Sequence, residues 1–357
     1  MSPFLQLAVE LAIILAAAKL AGYLSTRLGQ PSVLGEILVG VLLGPSLLDI
    51  AHLPFVKSEA LPEILHELGE LGVLLLMFIA GLELHLPELT LSGRVAALAG
   101  SIGVLLPVLL GWGTGALFGL DTQAALFLGL TLGATSVSIS AQTLMELKVL
   151  RSRVGLGLLG AAVFDDIMVI LLLSAFLAVT GGATSPIGLL LILGRMILFL
   201  GASIAFGLWV LPRLARLAAR LPISQSVVSL ALIIMLLYGV AAEVFGGMAA
   251  ITGSFVAGLM FARSHEKERL EPGILAISYG LFVPIFFVSI GLSVNLREMR
   301  LESLWLTLAI VLVAVASKLL GAGLGARLGG FNWKESWQLG AGMVSRGEVG
   351  LIVASVG

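Results

Sequence analysis

Long apolar runs dominate the sequence, and one of them holds two adjacent carboxylates, Asp165 and Asp166. That run, residues 154–180, contains no other charged residue and exceeds the roughly 20 apolar residues with which a helix crosses a bilayer. Asp165 lies about 16 Å along a helix that starts with the run, which is close to the bilayer midplane. A charge at that depth costs about 2.5–3.5 kcal/mol, so the pair predicts a functional role or charged partners.

The whole chain repeats this apolar pattern. Hydrophobic residues make up 59% of it and charged residues only 11%, against about 25% charged residues in soluble domains. A membrane β-barrel would instead alternate polar and apolar residues. We therefore predict an all-α polytopic membrane protein, with residues 1–357 forming one transmembrane domain. The predicted segments, about twelve in number, are 3–22, 33–49, 68–86, 94–118, 123–145, 154–180, 185–211, 223–243, 246–262, 272–294, 302–326 and 335–357.

Basic residues are distributed unevenly between the turns. The turns after segments five, seven and nine hold three each, whereas 119–122, 181–186 and 243–247 hold none. Since cytoplasmic loops carry an excess of Lys and Arg, the turns after odd-numbered segments are predicted to be cytoplasmic and the N-terminus to face outside. Arg297 and Arg300, in the tenth turn, go against this assignment. The chain has no cysteine, which excludes disulfide and thiol chemistry.

Two segments have polar, glycine-containing centres that favour a broken helix. Segment five contains GATSVSIS at 133–140, and segment twelve contains GMVSRGEVG at 342–350. Glycine and hydroxyl residues hold a helix interior poorly, and interrupted helices at corresponding positions of two halves indicate a transporter's binding site. The two segments run in opposite senses, which predicts an inverted repeat of segments four to six with eleven to thirteen. Segment thirteen would lie beyond Gly357, so we expect the chain to lack its last helix.

Further charged residues lie deep in apolar segments. Lys318 is the one charge in residues 304–325, and pairing with either Asp165 or Asp166 would compensate it. Arg346 and Glu348 either form a local pair that fixes the broken segment twelve or take part directly in transport. A carboxylate that binds a proton and a small cation in competition is the minimal requirement for antiport, and Thr135 and Ser136 could add hydroxyl or carbonyl oxygens.

An ordered set of motifs resembles the monovalent cation:proton antiporters. Within them it is most similar to the NapA-type bacterial Na⁺/H⁺ antiporters, which are relatives of NhaA and of the Kef potassium-efflux proteins. The likeness covers nearly the whole chain. The motifs are QP at 30–31, GE at 35–36, GP at 44–45, FIAGLE at 78–83, GATS at 133–136, DD at 165–166, PIFF at 284–287, Lys318 and RGEVG at 346–350.

The resemblance implies a thirteen-helix, inverted-repeat fold with two broken, crossing helices, of which about twelve helices are present here. It implies a core domain (about 94–180 and 302–357) that moves like an elevator against a dimerisation scaffold (about 3–86 and 185–294). The protein is then expected to be a homodimer in a bacterial-type inner membrane. Its partners are the lipid bilayer, a monovalent cation and protons. No cofactor and no nucleic acid is expected.

The resemblance also implies roles for single residues. Asp166 is expected to carry the ion and the proton. Asp165 pairs with Lys318 when the ion is absent and is a second Na⁺ ligand. Thr135 and Ser136 belong to the first broken helix and Arg346 and Glu348 to the second, where Glu348 balances helix-end dipoles. Adjacent acids are typical of electrogenic members that move two protons per cation. Na⁺ is the expected ion, with Li⁺ and K⁺ as alternatives.

Rival functions explain fewer of these residues. An intramembrane aspartyl protease needs aspartates on two facing helices, and here they are neighbours on one. A sodium-coupled organic-anion symporter leaves Lys318 and the carboxylate pair unexplained. The membrane half of a Kef-like gated K⁺ efflux system is the main alternative. We therefore predict a secondary transporter and no enzymatic activity.

Overall fold

The computed structural model describes residues 2–50, 61–84, 92–181, 186–298 and 304–346. Within these ranges the regular structure is entirely helical. The helices are α1 (Pro3–Arg27), α2 (Ser32–Leu43), α3 (Leu61–Leu82), α4 (Gly93–Leu117), α5 (Thr122–Gly133), α6 (Val137–Glu146), α7 (Arg153–Gly181), α8 (Pro186–Trp209), α9 (Leu211–Ala219), α10 (Ser226–Ala241), α11 (Ala250–Phe261), α12 (Lys267–Ile277), α13 (Val283–Leu292), α14 (Leu304–Gly329) and α15 (Trp333–Gly342). Short π-helical turns extend α10 over Ala242–Gly246 and join α12 to α13 over Ser278–Phe282.

The predicted all-α, multi-pass architecture is confirmed. Among the described residues, nine helical stretches are long and apolar enough to cross a membrane, and α2 and α11 are shorter apolar helices of 12 residues each. One of the nine spans combines α5 and α6, and another combines α12 and α13. The helix over Arg153–Gly181 that carries the carboxylate pair agrees with the predicted run to within one residue at each end.

Several predicted boundaries were wrong, among them the end of segment one, which is Arg27 instead of residue 22. Segment two ends at Leu43 instead of residue 49, because Gly44 precedes Pro45, and the residue before a proline is forced out of the helical region. Segment three starts earlier, at Leu61, and segment ten earlier, at Lys267, because polar residues there still continue the helix. The stretch after segment seven was predicted to be a loop, and in the structure it forms helix α9.

The short helix α9 is amphipathic, which explains why an apolar-run criterion missed it. Leu211, Ala215 and Ala218 are buried on one face, and Arg213 and Arg216 are exposed on the other. This is the pattern of a helix that lies along a surface and buries only a stripe.

Helix packing falls into two groups. In the first, α4 packs against α5, α7 and α14, and α15 packs against α14 and α7. In the second, α2 packs against α1 and α13, and α3 packs against α11 and α13. Gly100 of α4 makes one close approach possible, because a Cβ there would lie 2.6 Å from the carbonyl oxygen of Ala161. Helices α4 and α7 are therefore closely packed next to Asp165.

Candidate functional site

The first predicted helix break is present between α5 and α6, α15 ends where the second break was predicted, and these two stretches meet. Helix α5 ends at Gly133 and α6 starts at Val137, while α15 ends at Gly342 and the chain is non-helical to Arg346. The Ser136 backbone N–H donates to the carbonyl of Ser345 (3.0 Å), and the Ser345 hydroxyl donates back to the carbonyl of Ser136 (2.8 Å). The first break and the non-helical chain after α15 therefore cross as a hydrogen-bonded pair.

Ser140 strengthens this crossing from inside α6. Its hydroxyl lies 2.6 Å from the carbonyl oxygen of Gly342, to which it donates, and 2.7 Å from the Ser345 hydroxyl. The last carbonyls of any helix lack an intrahelical partner, and Ser140 satisfies one for α15. The crossing is thus fixed by side chains as well as by backbone.

Lys318, at the centre of α14, lies between the first break and the carboxylate pair. Its Nζ is 2.5 Å from Asp165 Oδ1 and donates to the Gly133 carbonyl at 2.6 Å. Neither Lys318 nor Asp165 has any exposed surface. Residue placement alone left open which aspartate Lys318 would meet, whereas the family resemblance implied Asp165, and in the structure Lys318 meets Asp165. The ammonium also lies at the C-terminal end of α5, where the helix dipole is negative.

Asp166 points to a different neighbour, as expected for successive helical residues about 100° apart. It is 3% exposed, and its Oδ2 accepts a hydrogen bond from the Thr252 hydroxyl of α11 at 3.2 Å. A cavity of about 10 Å³ lies beside it, which is space for about one water-sized particle. Asp166 is therefore next to a small cavity lined in part by α7 and α11.

The other predicted residues surround these carboxylates. Thr135 is buried next to Asp165, and the Ser136 hydroxyl caps α6 by accepting from the Ile139 N–H at 3.5 Å. The Arg346 guanidinium donates to the carbonyls of Val344 (2.8 Å) and Ala314 (3.2 Å), so it binds the second break to α14. Glu348 lies outside the described residues.

The two adjacent carboxylates, Asp165 and Asp166, have different partners. Lys318 compensates Asp165 within a fully buried pair, whereas Asp166 faces a hydroxyl and a cavity that fits one small particle. Carboxylate and hydroxyl oxygens are hard ligands that suit alkali cations. Such a site can hold either a proton or a small cation at Asp166.

Two residues of the site were not singled out from the sequence. Thr252 lies in the short, glycine-containing segment nine, whose helix begins at Ala250. No motif around Thr252 indicates a functional role. Ser140 belongs to the hydroxyl-rich stretch of segment five, but its bond to Gly342 joins residues more than 200 positions apart.

Comparison with known proteins gives a consistent family. A sequence profile described as "Sodium/hydrogen exchanger, transmembrane" matches residues 13–357. The chain is 43% identical over 349 residues to the probable Na⁺/H⁺ antiporter GerT of Bacillus cereus, with 98% of this chain and 90% of that protein covered. It is 42% identical to the Na⁺/H⁺-K⁺ antiporter GerN of the same organism, with 98% and 87% covered.

A solved structure has the same fold. The sodium proton antiporter MjNhaP1 of Methanocaldococcus jannaschii superimposes with a TM-score of 0.68 at 18% identity, and the match covers 99% of this chain and 86% of that one. At this identity the likeness concerns the fold alone. It supports the predicted antiporter-type fold.

Proposed function

The chain belongs to the sodium/hydrogen exchanger family, and we propose that it exchanges a monovalent cation, Na⁺ first, for protons across the membrane. Family membership makes it a multi-pass secondary transporter and not an enzyme. The observation that carries the proposal is that the two adjacent carboxylates have different partners. Asp165 is paired with Lys318, and Asp166 faces a cavity with room for about one water-sized particle.

Asp166 is the proposed carrier. A carboxylate at membrane depth is costly as a bare charge, so it binds either a proton or a cation, and the two compete. A cation that enters beside Asp166 displaces its proton. The cation also attracts the Asp165 carboxylate, which weakens the ion pair between Asp165 and Lys318. The Lys318 ammonium can then release a second proton for each cation that binds, so that two protons leave per cation and the exchange is electrogenic.

The proposal is tested with purified protein in vesicles that contain a pH dye. Addition of Na⁺ outside is expected to make the lumen alkaline, because protons leave as Na⁺ enters. Because two protons carry out more charge than one cation brings in, a lumen-positive potential should accelerate the exchange. K⁺ is the second cation to test, since GerN is named for both ions. Empty vesicles and choline chloride are the controls. If no added cation changed the lumen pH, antiport would be refuted. An exchange rate that did not depend on the membrane potential would indicate electroneutral exchange.

We also propose that a core group (α4–α7, α14 and α15) moves against a scaffold group (α1–α3 and α8–α13), with odd-numbered turns cytoplasmic, the N-terminus outside and the scaffold forming a homodimer. Movement of this kind must break the polar contacts that cross the boundary between the groups, and these contacts give the means to test it. The Glu146 carboxylate of α6 accepts from the Ser32 backbone N–H at 2.6 Å and from the Ser32 hydroxyl at 2.5 Å. Arg151 likewise pairs with Glu83 at 2.9 Å.

A cross-link at this boundary should stop exchange. The chain has no native cysteine, so Ser32→Cys with Glu146→Cys can be joined by a short, reducible bifunctional thiol reagent without background. Exchange is expected to fall to background and to return on reduction. The matched control joins Arg153→Cys to Glu335→Cys, a pair 3.3 Å apart within the proposed core. Full exchange with the Ser32–Glu146 link intact would contradict movement at this boundary.

A further inference from the structure

The hydroxyl of Thr252 reaches Asp166 from the opposite side of the boundary between the two helix groups. Thr252 lies in the first turn of α11, is 3% exposed, and donates to Asp166 Oδ2 at 3.2 Å. Asp166 belongs to α7, in the proposed core, and α11 belongs to the proposed scaffold. This hydrogen bond therefore joins the proposed ion carrier to a helix that does not travel with it.

The cavity between them is apolar apart from these two residues. Asp166 and Thr252 are the polar side chains among its described lining residues, and the rest are hydrophobic, including Val137, Val163 and Phe255. A volume of about 10 Å³ holds roughly one water, so a cation would enter there largely dehydrated. A dehydrated cation needs oxygen atoms from the protein.

A threonine hydroxyl can serve the carboxylate and a cation together. It has one proton to donate and two lone pairs to offer, so it can keep its bond to Asp166 while its oxygen contacts an ion. Since hard cations prefer oxygen ligands, Thr252 Oγ1 is suited to this position. No other described residue lining the cavity provides a side-chain oxygen from the scaffold group.

We propose that Thr252 is a ligand of the transported cation, supplied by the scaffold only while Asp166 faces α11. The inference rests on the proposed function. It implies that the site binds a small cation more tightly in this arrangement than after the core has moved away, because movement removes one oxygen. Thr252 thereby sets cation affinity on one side of the membrane.

The first test measures binding without transport. Purified protein is melted over a range of Na⁺ concentrations at constant ionic strength with choline, and the concentration that gives half of the thermal stabilisation is recorded. Thr252→Val removes the hydroxyl at nearly constant shape and should raise this concentration about tenfold, the effect of one hydrogen-bonding ligand. Thr252→Ser should restore it. Thr114→Val is the matched control, because Thr114 is buried and bonds within α4, to the Leu110 carbonyl.

The second test repeats the series in the exchange assay. The apparent KM for Na⁺ should rise about tenfold in Thr252→Val, with the maximal rate nearly unchanged, as expected when a binding ligand is lost. A merely structural role would instead lower the maximal rate and the melting temperature at constant KM. Equal behaviour of the Val and Ser variants, or an unchanged Na⁺ dependence in Thr252→Val, overturns the proposal. So does a wild-type protein that Na⁺ does not stabilise. Na⁺ stabilisation without proton exchange would refute the proposed antiport and leave the ligand assignment standing.

Discussion

Asp166→Asn is expected to reduce cation-dependent proton movement to the level of empty vesicles. Asparagine has nearly the same shape and keeps an oxygen that can accept the Thr252 hydroxyl, so the local structure should survive. It carries no charge and binds no exchangeable proton, however, and both halves of the exchange depend on those properties. The measurement is the initial rate of lumen alkalinisation after addition of Na⁺, normalised to the amount of reconstituted protein.

The matched control is Asp121→Asn, an equally conservative change outside the site. Asp121 caps α5 by accepting from the Gln123 and Ala124 N–H groups at 2.9 and 3.0 Å, and asparagine caps a helix about as well as aspartate. Exchange should therefore be preserved. If Asp166→Asn exchanged Na⁺ for protons at the wild-type rate, the carrier would have to be another group, and the central assignment would be wrong.

Much of this site follows from the cost of polar groups in apolar surroundings. The depth of Asp165 and Asp166 within one uncharged run required a charged partner, and Lys318, alone in its own run, was a cation that needed a partner as well. The structure brings Lys318 and Asp165 together. The helix interruption at 134–136 was equally predictable, because glycine and hydroxyl residues cluster there.

Other features depend on tertiary contacts that sequence patterns do not encode. Residue placement alone does not choose Asp165 over Asp166 as the partner of Lys318, a choice that only the family resemblance implied, because it depends on the rotation of α7 and on close packing such as that at Gly100. The bond from Thr252 to Asp166 spans helices of the two groups, and a lone threonine in an apolar helix has no periodic signature. The surface helix α9 was missed because its apolar stripe is narrow and its charges resemble those of a loop.

Lys318→Met should give the largest loss of stability of any single change at this site. The side chain is fully buried, and it compensates Asp165 at 2.5 Å while donating to the Gly133 carbonyl at 2.6 Å. Methionine fills a similar volume without charge, so Asp165 is left as an uncompensated buried acid. Removal of one partner of a buried pair typically costs about 3–5 kcal/mol. The measurement is the unfolding free energy, or the melting temperature, of the purified protein in detergent.

The double variant Lys318→Met with Asp165→Asn separates the cost of the orphaned charge from the value of the pair. Replacement of both partners by neutral groups is often nearly neutral, so the double variant should recover most of the lost stability. A double variant as unstable as Lys318→Met would show that the lysine acts through Gly133 and packing instead of through Asp165. Since Asp166 is still present, the double variant should also still exchange Na⁺ for protons. With Asp165 and the lysine proton removed, we expect one proton to move per cation, so that a lumen-positive potential no longer accelerates exchange.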